Sequence, residues 1–405
     1  MAAGLLRPFI VLGQSDEGPI FAQSIAHYWH AFDSVNLPRF ALQRTLPRRF
    51  RSQALTELGQ SQYIAEDPRL VPSDLRTQKW DQMCVALDRW QDLSNLHRSR
   101  LVLLLHALCF YEVIPKLLPA LSNDDLTDPI DAQLSYLRAS AVYVLGLPNR
   151  VSDYGHADLS SFAHMARSPN VAPQVGFDAA IKILTHLAKN GGSETELTTW
   201  QDCASEHLSA LHRLPNAFDA TLCESRFHRA AAFIPQRRGH QQDVVKVMDA
   251  AEAAAKALKP ANEAQELLRR ENLHPLLESR TKEAIWLGDH DAALERAHQV
   301  TQVDPFEARG WLELGQVLMA RKDFSEAANA YVKAAMIGPP ASAIAYHMAG
   351  ICYLELDQPV LAALLLKSAV DLDPGAVSTR HHIRELPDDV ILQELKKWSL
   401  RTAQF

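Results

Sequence analysis

Residues 311–339 read WLELGQVLMARKDFSEAANAYVKAAMIGP, and this stretch decides the fold class. Apolar and small residues recur in it at helical spacing on both sides of the polar turn Arg321-Lys322-Asp323. Pro339 then ends the second run, because proline lacks a backbone N–H and clashes with the preceding helical turn. The stretch therefore predicts a hairpin of two antiparallel helices.

The same order of residues occurs three times in the C-terminal third of the chain. Each copy closes on a proline, and the closing prolines Pro305, Pro339 and Pro374 are 34 and then 35 residues apart. A regular period of this length indicates stacked units of one supersecondary structure. The matching positions are Leu277, Ala284, Ala293, Ala297 and Val300 in the first copy, Trp311, Leu314, Gly315, Leu318, Ala327, Tyr331 and Ala334 in the second, and Tyr346, Ala349, Gly350, Tyr353, Ala362, Leu366 and Ala369 in the third.

Over roughly residues 274 to 375 this order and spacing resembles the signature of the tetratricopeptide repeat. The resemblance implies two-helix units that stack into a superhelix, in which the first helix of each unit lines a concave groove. It also implies that small residues such as Gly315 and Gly350 stand where the two helices of a unit approach closely. The groove positions that it implies are Glu278, Lys282, Arg309, Leu312, Gln316, Met319, His347, Ile351 and Leu354.

These groove positions mix apolar, polar and charged side chains. They are not the array of lysine and asparagine with which the carboxylate-clamp members of the family hold a peptide C-terminus. The resemblance therefore implies a protein or peptide partner held by apolar anchors and oriented by polar groups. Two alternatives stay open: the groove packs against a neighbouring domain of the same chain, or the repeat faces associate with each other in a homo-oligomer.

Helical spacing dominates the rest of the chain, and no run of alternating β-branched residues appears, so the predicted fold is all-α. Residues 1–216 are predicted to form an N-terminal helical domain that contains an irregular segment, 34–72, rich in arginine and proline. Residues 217–273 are predicted to form a long hairpin that resembles a degenerate repeat. Residues 274–387 hold the three repeats, and 388–405 supply a capping helix.

Three local predictions concern individual helices of the N-terminal region and its junction with the repeats. The spacing predicts one helix over 98–117, and another over 262–273 that ends before the repeats begin. Ser193 followed by Glu196 predicts a capped helix start, because the two side chains can each bond the other's backbone N–H.

The composition is that of an ordinary globular chain of 405 residues, with 47% apolar residues and a net charge of −7. Residues 274–386 contain ten Lys or Arg against fifteen Asp or Glu, so no nucleic-acid partner is expected. The longest apolar stretch, Leu101 to Leu118, is interrupted by charged residues and proline, so no membrane partner is expected. A cytoplasmic location is the expectation.

Seventeen histidines raise the question of a metal or a catalytic site. The pairs His27 with His30 and Glu224 with His228, and the triplet His156-Ala157-Asp158, each lack a complete ligand set. No phosphate-binding glycine loop or nucleophile motif occurs either, so the sequence predicts no metal, no cofactor and no catalytic residue. The alternative is an enzyme whose active site lies in the N-terminal helical domain, where the repeats would recruit a peptide or carrier-bound substrate.

An arginine cluster, consisting of Arg44, Arg48, Arg49 and Arg51, lies in a stretch without acidic residues. Guanidinium groups bind oxyanions through paired N–H bonds, so the cluster is a candidate site for a phosphate or an acidic partner. The alternative is that these arginines pair with acidic residues of the helical body and hold an irregular segment in place.

Overall fold

The described residues of this computed structural model contain seventeen α-helices and no strand. The predicted all-α class is confirmed. The structure describes residues 67–70, 78–107, 110–118, 126–146, 158–305, 307–337, 341–373 and 375–386. The helices are α1 (Gln78–Asp88), α2 (Asn95–Ala107), α3 (Val113–Leu117), α4 (Pro129–Leu145), α5 (Ser160–Arg167), α6 (Pro173–Lys189), α7 (Glu194–Leu211), α8 (Ala217–Ala231), α9 (Phe233–Arg237), α10 (Gln241–Ala257), α11 (Glu263–Leu287), α12 (His290–Val303), α13 (Ala308–Ala320), α14 (Phe324–Ile337), α15 (Ser342–Glu355), α16 (Pro359–Leu372) and α17 (Val377–Glu385).

The chain divides into two compact units between Leu273 and His274, a point that lies inside α11. The predicted capping helix over 388–405 and the arginine cluster lie outside the described residues. Within those residues, no helix combines the length and the apolar character needed to cross a bilayer.

The N-terminal unit is built on two apolar cores. One forms mainly between α1, α2, α3 and α4, and the other mainly between α5, α6, α7 and α8. The capped start predicted for α7 is confirmed: Ser193 Oγ accepts from the backbone N–H of Glu196 at 3.3 Å, and Glu196 Oε2 accepts from the backbone N–H of Ser193 at 2.7 Å. The cap fixes the start of α7 shortly after the end of α6. Phe177 of α6 and Trp200 of α7 are buried in the same core.

Two of the predicted helix boundaries were wrong. The single helix predicted over 98–117 is divided into α2 and α3, with Phe110 and Tyr111 buried between them. The helix predicted over 262–273 continues to Leu287 although Pro275 lies inside it. Proline in a helix interior costs about 3 kcal/mol, but Leu276 and Leu277 directly after it are buried, and their packing offsets that cost.

The C-terminal unit consists of helical hairpins. Helix α13 packs against α14, and α15 packs against α16. Ala284 of α11 shares a core with Ala293 and Ala297 of α12, and α17 follows the last hairpin. The predicted close approach of paired helices is confirmed. A Cβ atom built on Gly315 would lie 2.6 Å from Tyr331 Cε1, and one built on Gly350 would lie 2.8 Å from Leu366 Cγ.

The turns between paired helices share one backbone conformation. Gly288, Lys322 and Asp357 have φ values of 79°, 66° and 55°, and they are spaced 34 and 35 residues apart. In the second unit the N–H of Asp323 bonds the carbonyl of Leu318 at 2.9 Å, which is the hydrogen bond that closes a Schellman motif. The left-handed residue is therefore a property of the repeat itself, and two of its three copies use a residue other than glycine.

We predict that Gly315→Ala destabilises the fold. The helix preference of alanine favours the change by about 1 kcal/mol, but overpacking a buried contact costs about 1–3 kcal/mol, and Tyr331 is fully buried and has no room to withdraw. Chemical unfolding should therefore show a net loss. Gln316→Ala is the matched control, because it adds the same residue to an exposed neighbouring position. Equal stability of the two variants would contradict the close-packing interpretation.

We also predict that Lys322→Gly stabilises the chain. A left-handed residue other than glycine costs about 1–2 kcal/mol, whereas glycine loses about 0.5–1 kcal/mol through extra freedom of the unfolded chain. Thermal unfolding should show a net gain of up to about 1.5 kcal/mol from these two terms. Arg321→Gly is the control, because Arg321 has an ordinary φ of −79°. A gain in the control as large as that in the variant would refute the strain at Lys322.

Candidate functional site

The first helices of the three repeats each place a row of residues on one side. On α13 these residues are spaced by three, four and three positions, which puts them on a single helical face. The equivalent positions lie 34 residues earlier on α11 and 35 residues later on α15. We call this set the first-helix face; it comprises Glu278, Lys282, Ile285, Arg309, Leu312, Gln316, Met319, Ile344, His347, Ile351 and Leu354.

Ion pairs connect the first-helix face of α11 to that of α13. Arg309 Nη2 lies 3.2 Å from Glu278 Oε2, and the other carboxylate oxygen of Glu278 lies 3.2 Å from His274 Nδ1. Lys282 Nζ lies 3.9 Å from Glu313 Oε2. These contacts show that residues 31 positions apart in the sequence are neighbours on this surface.

In both ion pairs the cationic side chain is exposed and the carboxylate is buried. The side chains of Arg309 and Lys282 are 59% and 63% exposed, whereas those of Glu278 and Glu313 are only 8% and 11% exposed. The cationic ends therefore reach solvent above carboxylates that are buried beneath them. Burial raises the pKa of the Glu313 carboxyl, and the positive charge of Lys282 opposes that rise.

The apolar residues of the first-helix face differ in their exposure. Leu312, Met319 and Leu354 are half-buried and pack against the repeat cores, so only part of each side chain is accessible. Ile344 is 50% exposed and Ile285 is 38% exposed, which is high for large aliphatic side chains. The accessible apolar surface is therefore greatest at two residues that the sequence analysis did not name.

Ile285 and Ile344 were nevertheless identifiable from the repeat register. Ile285 lies 34 residues before Met319, and Ile344 lies 35 residues after Arg309, so both occupy positions equivalent to residues that were named. The information needed was the alignment of the weaker first repeat and of the start of the third.

His347 occupies a different environment from the other predicted groove residues. Its Nδ1 atom lies 3.0 Å from Thr379 Oγ1 of α17, and its ring centroid lies 5.6 Å from that of His382. Burial lowers the pKa of His347, and the nearby His382 adds to that effect. Because α17 contacts this ring, part of the His347 side chain is covered within the C-terminal unit.

The histidine combinations considered for a metal site give a partial outcome. His27, His30 and His156 lie outside the described residues. Glu224 lies 3.5 Å from His212 Nε2 and 4.0 Å from His228 Nε2, which are ordinary ion-pair distances. In the part of the chain that the structure describes, no group of three or more His, Cys, Asp or Glu side chains is arranged to hold a metal ion.

Comparison with known proteins gives structural matches alone, since no protein-family model and no curated protein sequence matches the chain. YrrB, a TPR protein with an unusual peptide-binding site, is 14% identical over 51% of this chain and 91% of its own, with a TM-score of 0.34. MamA is 14% identical over 50% of this chain and 94% of its own, with a TM-score of 0.33. The human IFIT1 dimer with m7Gppp-AAAA is 12% identical over all of both chains, with a TM-score of 0.48.

We predict that Lys282→Met raises the pKa of Glu313 further, because it removes the cation that opposes the effect of burial. Carboxyl ¹³C NMR titration measures this value directly. Lys333→Met is the control. It also removes a lysine charge, but that ammonium lies 4.5 Å from the centre of the Trp311 ring and does not contribute to the shift at Glu313.

The sign of the associated pH dependence follows from linkage. The folded chain binds the Glu313 proton more tightly than the unfolded chain does. The contribution of Glu313 to the free energy of unfolding therefore falls as pH rises from the unfolded pKa through the folded pKa. A Glu313 pKa that is unchanged in Lys282→Met would contradict the ion pair.

Proposed function

We propose that the chain is a binding scaffold, and that its first-helix face holds a short segment of a partner protein. Support comes mainly from the exposed aliphatic side chains of Ile285 and Ile344, which lie in register with half-buried apolar residues. Removing each from water on binding would contribute about 25 cal/mol for every Å² of apolar area that is buried. Apolar contacts of this kind provide affinity, and the polar side chains between them provide orientation.

The charges on this face further specify the segment. Arg309 and Lys282 present cationic ends above buried carboxylates, while Ile344, Ile351 and Leu354 make the α15 end apolar. Arginine carries five N–H donors, so it can hold Glu278 and a partner carboxylate at the same time. We propose a segment with aliphatic or aromatic residues at the α15 end and an acidic residue at the α11 end.

The test is to select 12-residue peptides from a random display library against the full chain and to measure their dissociation constants by fluorescence polarisation. Ile344→Asp should weaken binding about tenfold or more, because a loss of 1.4 kcal/mol, about that of one half-buried aliphatic anchor, corresponds to a factor of ten. Selection against the Arg309→Met variant should recover fewer peptides with an acidic residue than selection against the unmodified chain.

Leu361→Asp is the matched control for Ile344→Asp. Leu361 is 44% exposed, close to the 50% of Ile344, but it lies on α16, a second helix, outside the first-helix face. The control should bind the selected peptides within about twofold of the unmodified chain, in keeping with the small effect of a surface change away from a site. If both changes weaken binding equally, or neither does, the proposed face is wrong. Light scattering on the same samples tests the homo-oligomer alternative.

A further inference from the structure

A row of nitrogen-bearing side chains lies on α6 in the N-terminal unit, apart from the first-helix face. Lys182, His186 and Lys189 are spaced by four and three residues, which places them on one helical face. Tyr143 of α4 lies against this row: its ring centre is 4.4 Å from Lys182 Nζ, and its hydroxyl is 2.8 Å from His186 Nδ1. Lys182 and His186 are half-buried, and Lys189 is exposed.

The positive charge of Lys182 has no carboxylate partner within ion-pair distance among the described residues. The nearest acidic residue along the helix, Asp178, lies one turn away and is engaged elsewhere. It accepts a hydrogen bond from Arg226 Nη1 at 2.8 Å and another from Gln174 Nε2 at 3.1 Å. The amine of Lys182 instead lies over an aromatic face, a contact that costs less desolvation than an apolar site but supplies no counter-charge.

The pKa values of Lys182 and of the groups near it agree with a positive field at this place. Burial lowers the pKa of Lys182 to about 8, and Lys189 adds to that effect. The pKa of His186 is lowered by burial and by Lys182, and the pKa of His106 on α2 is lowered to about 3 by the same two causes. Among the residues that the structure describes, no carboxylate contributes to any of these shifts.

The hydrogen bonds of His186 determine which of its ring nitrogens donates. Burial raises the pKa of Tyr143, so its hydroxyl stays protonated, and it forms a hydrogen bond of 2.8 Å with His186 Nδ1. The amide Nδ2 of Asn190, a donor, lies 3.4 Å from the same Nδ1 atom. Because an amide N–H₂ group can only donate, the Asn190 contact favours the tautomer in which Nδ1 accepts and Nε2 carries the proton of the neutral ring.

From this geometry we infer that Lys182, His186 and Lys189 form a binding site for a small oxyanion, a ligand that bears a carboxylate or a phosphate group. The site offers an ammonium group without a carboxylate partner among the described residues, an imidazole N–H and a second, exposed ammonium along one helical face. Charged donors of this kind make short and strong bonds to oxyanions. A bound anion would also place a negative charge beside Lys182, which has no carboxylate partner among the described residues.

Isothermal titration calorimetry of the full chain at pH 8 tests the inference. Sulfate stands for a phosphate group and succinate for a carboxylate ligand, because both are fully ionised at this pH and release no proton themselves. Sodium chloride at matched ionic strength is the blank. Saturable heat with either oxyanion, absent with chloride, is the expected result, and which of the two binds more tightly identifies the ligand class.

Proton uptake provides a second measurement. Near pH 8 roughly half of the Lys182 amines are neutral, and a bound anion favours the ammonium form. Titrations in buffers of different ionisation enthalpy should therefore show uptake of up to about half a proton per anion. Proton uptake that is unchanged in the Lys182→Met variant would place the anion elsewhere and overturn the assignment.

Variants localise the site. Lys182→Met should weaken binding at least tenfold and abolish proton uptake, whereas Lys246→Met, at an exposed position on α10, should change neither. Tyr143→Phe keeps the ring beneath Lys182 but removes the hydroxyl that bonds His186, so it should weaken binding and retain proton uptake. If sulfate and succinate give no more heat than chloride, the inference is wrong. The basic side chains then interact only with the partial negative charge at the C-terminal end of α6.

Discussion

The separation of paired helices in the C-terminal unit depends on one missing side-chain atom. At Gly315 a methyl group would overlap the ring of Tyr331, which is itself fully buried and unable to move aside. Gly350 has the same relation to Leu366 in the next unit. Close pairing in each hairpin sets the position of its first helix, and the alignment of successive first helices is what brings residues 31 positions apart into contact. The candidate surface therefore depends on the packing behind it.

Features of the fold that depend on local spacing were predictable from the sequence, while those that depend on competition between distant contacts were not. The cap at Ser193 follows from residue type and spacing, and the hairpins and their small residues follow from the repeat spacing together with the resemblance that it carries. The continuation of α11 through Pro275 does not, because a local rule predicts a helix end and the burial of Leu276 and Leu277 outweighs it. Sequence rules state the cost of the proline, but only the fold shows what offsets it.

The same distinction holds for the candidate surface. Repeat register indicates which residues share a face, and it was sufficient to identify Ile285 and Ile344 once every repeat was aligned. Register does not indicate how charges are layered. Arg309 and Glu278 are both groove positions in the sequence, yet one is mostly exposed and the other is buried beneath it. This difference determines which charge a partner meets, and it arises from packing between helices.

Lys182 and Lys282 show how the same residue type is treated differently in the two units. Lys282 remains largely exposed and lies beside a buried carboxylate, and its positive charge favours the ionised form of Glu313. Lys182 is half-buried beside an aromatic ring, and the nearest carboxylate on its own helix is held by Arg226. Desolvation disfavours the charged form of a half-buried ammonium, so this position lowers the stability of the fold. A surface lysine would avoid that cost with the same backbone, so the location of Lys182 argues for a ligand whose negative charge lies beside it.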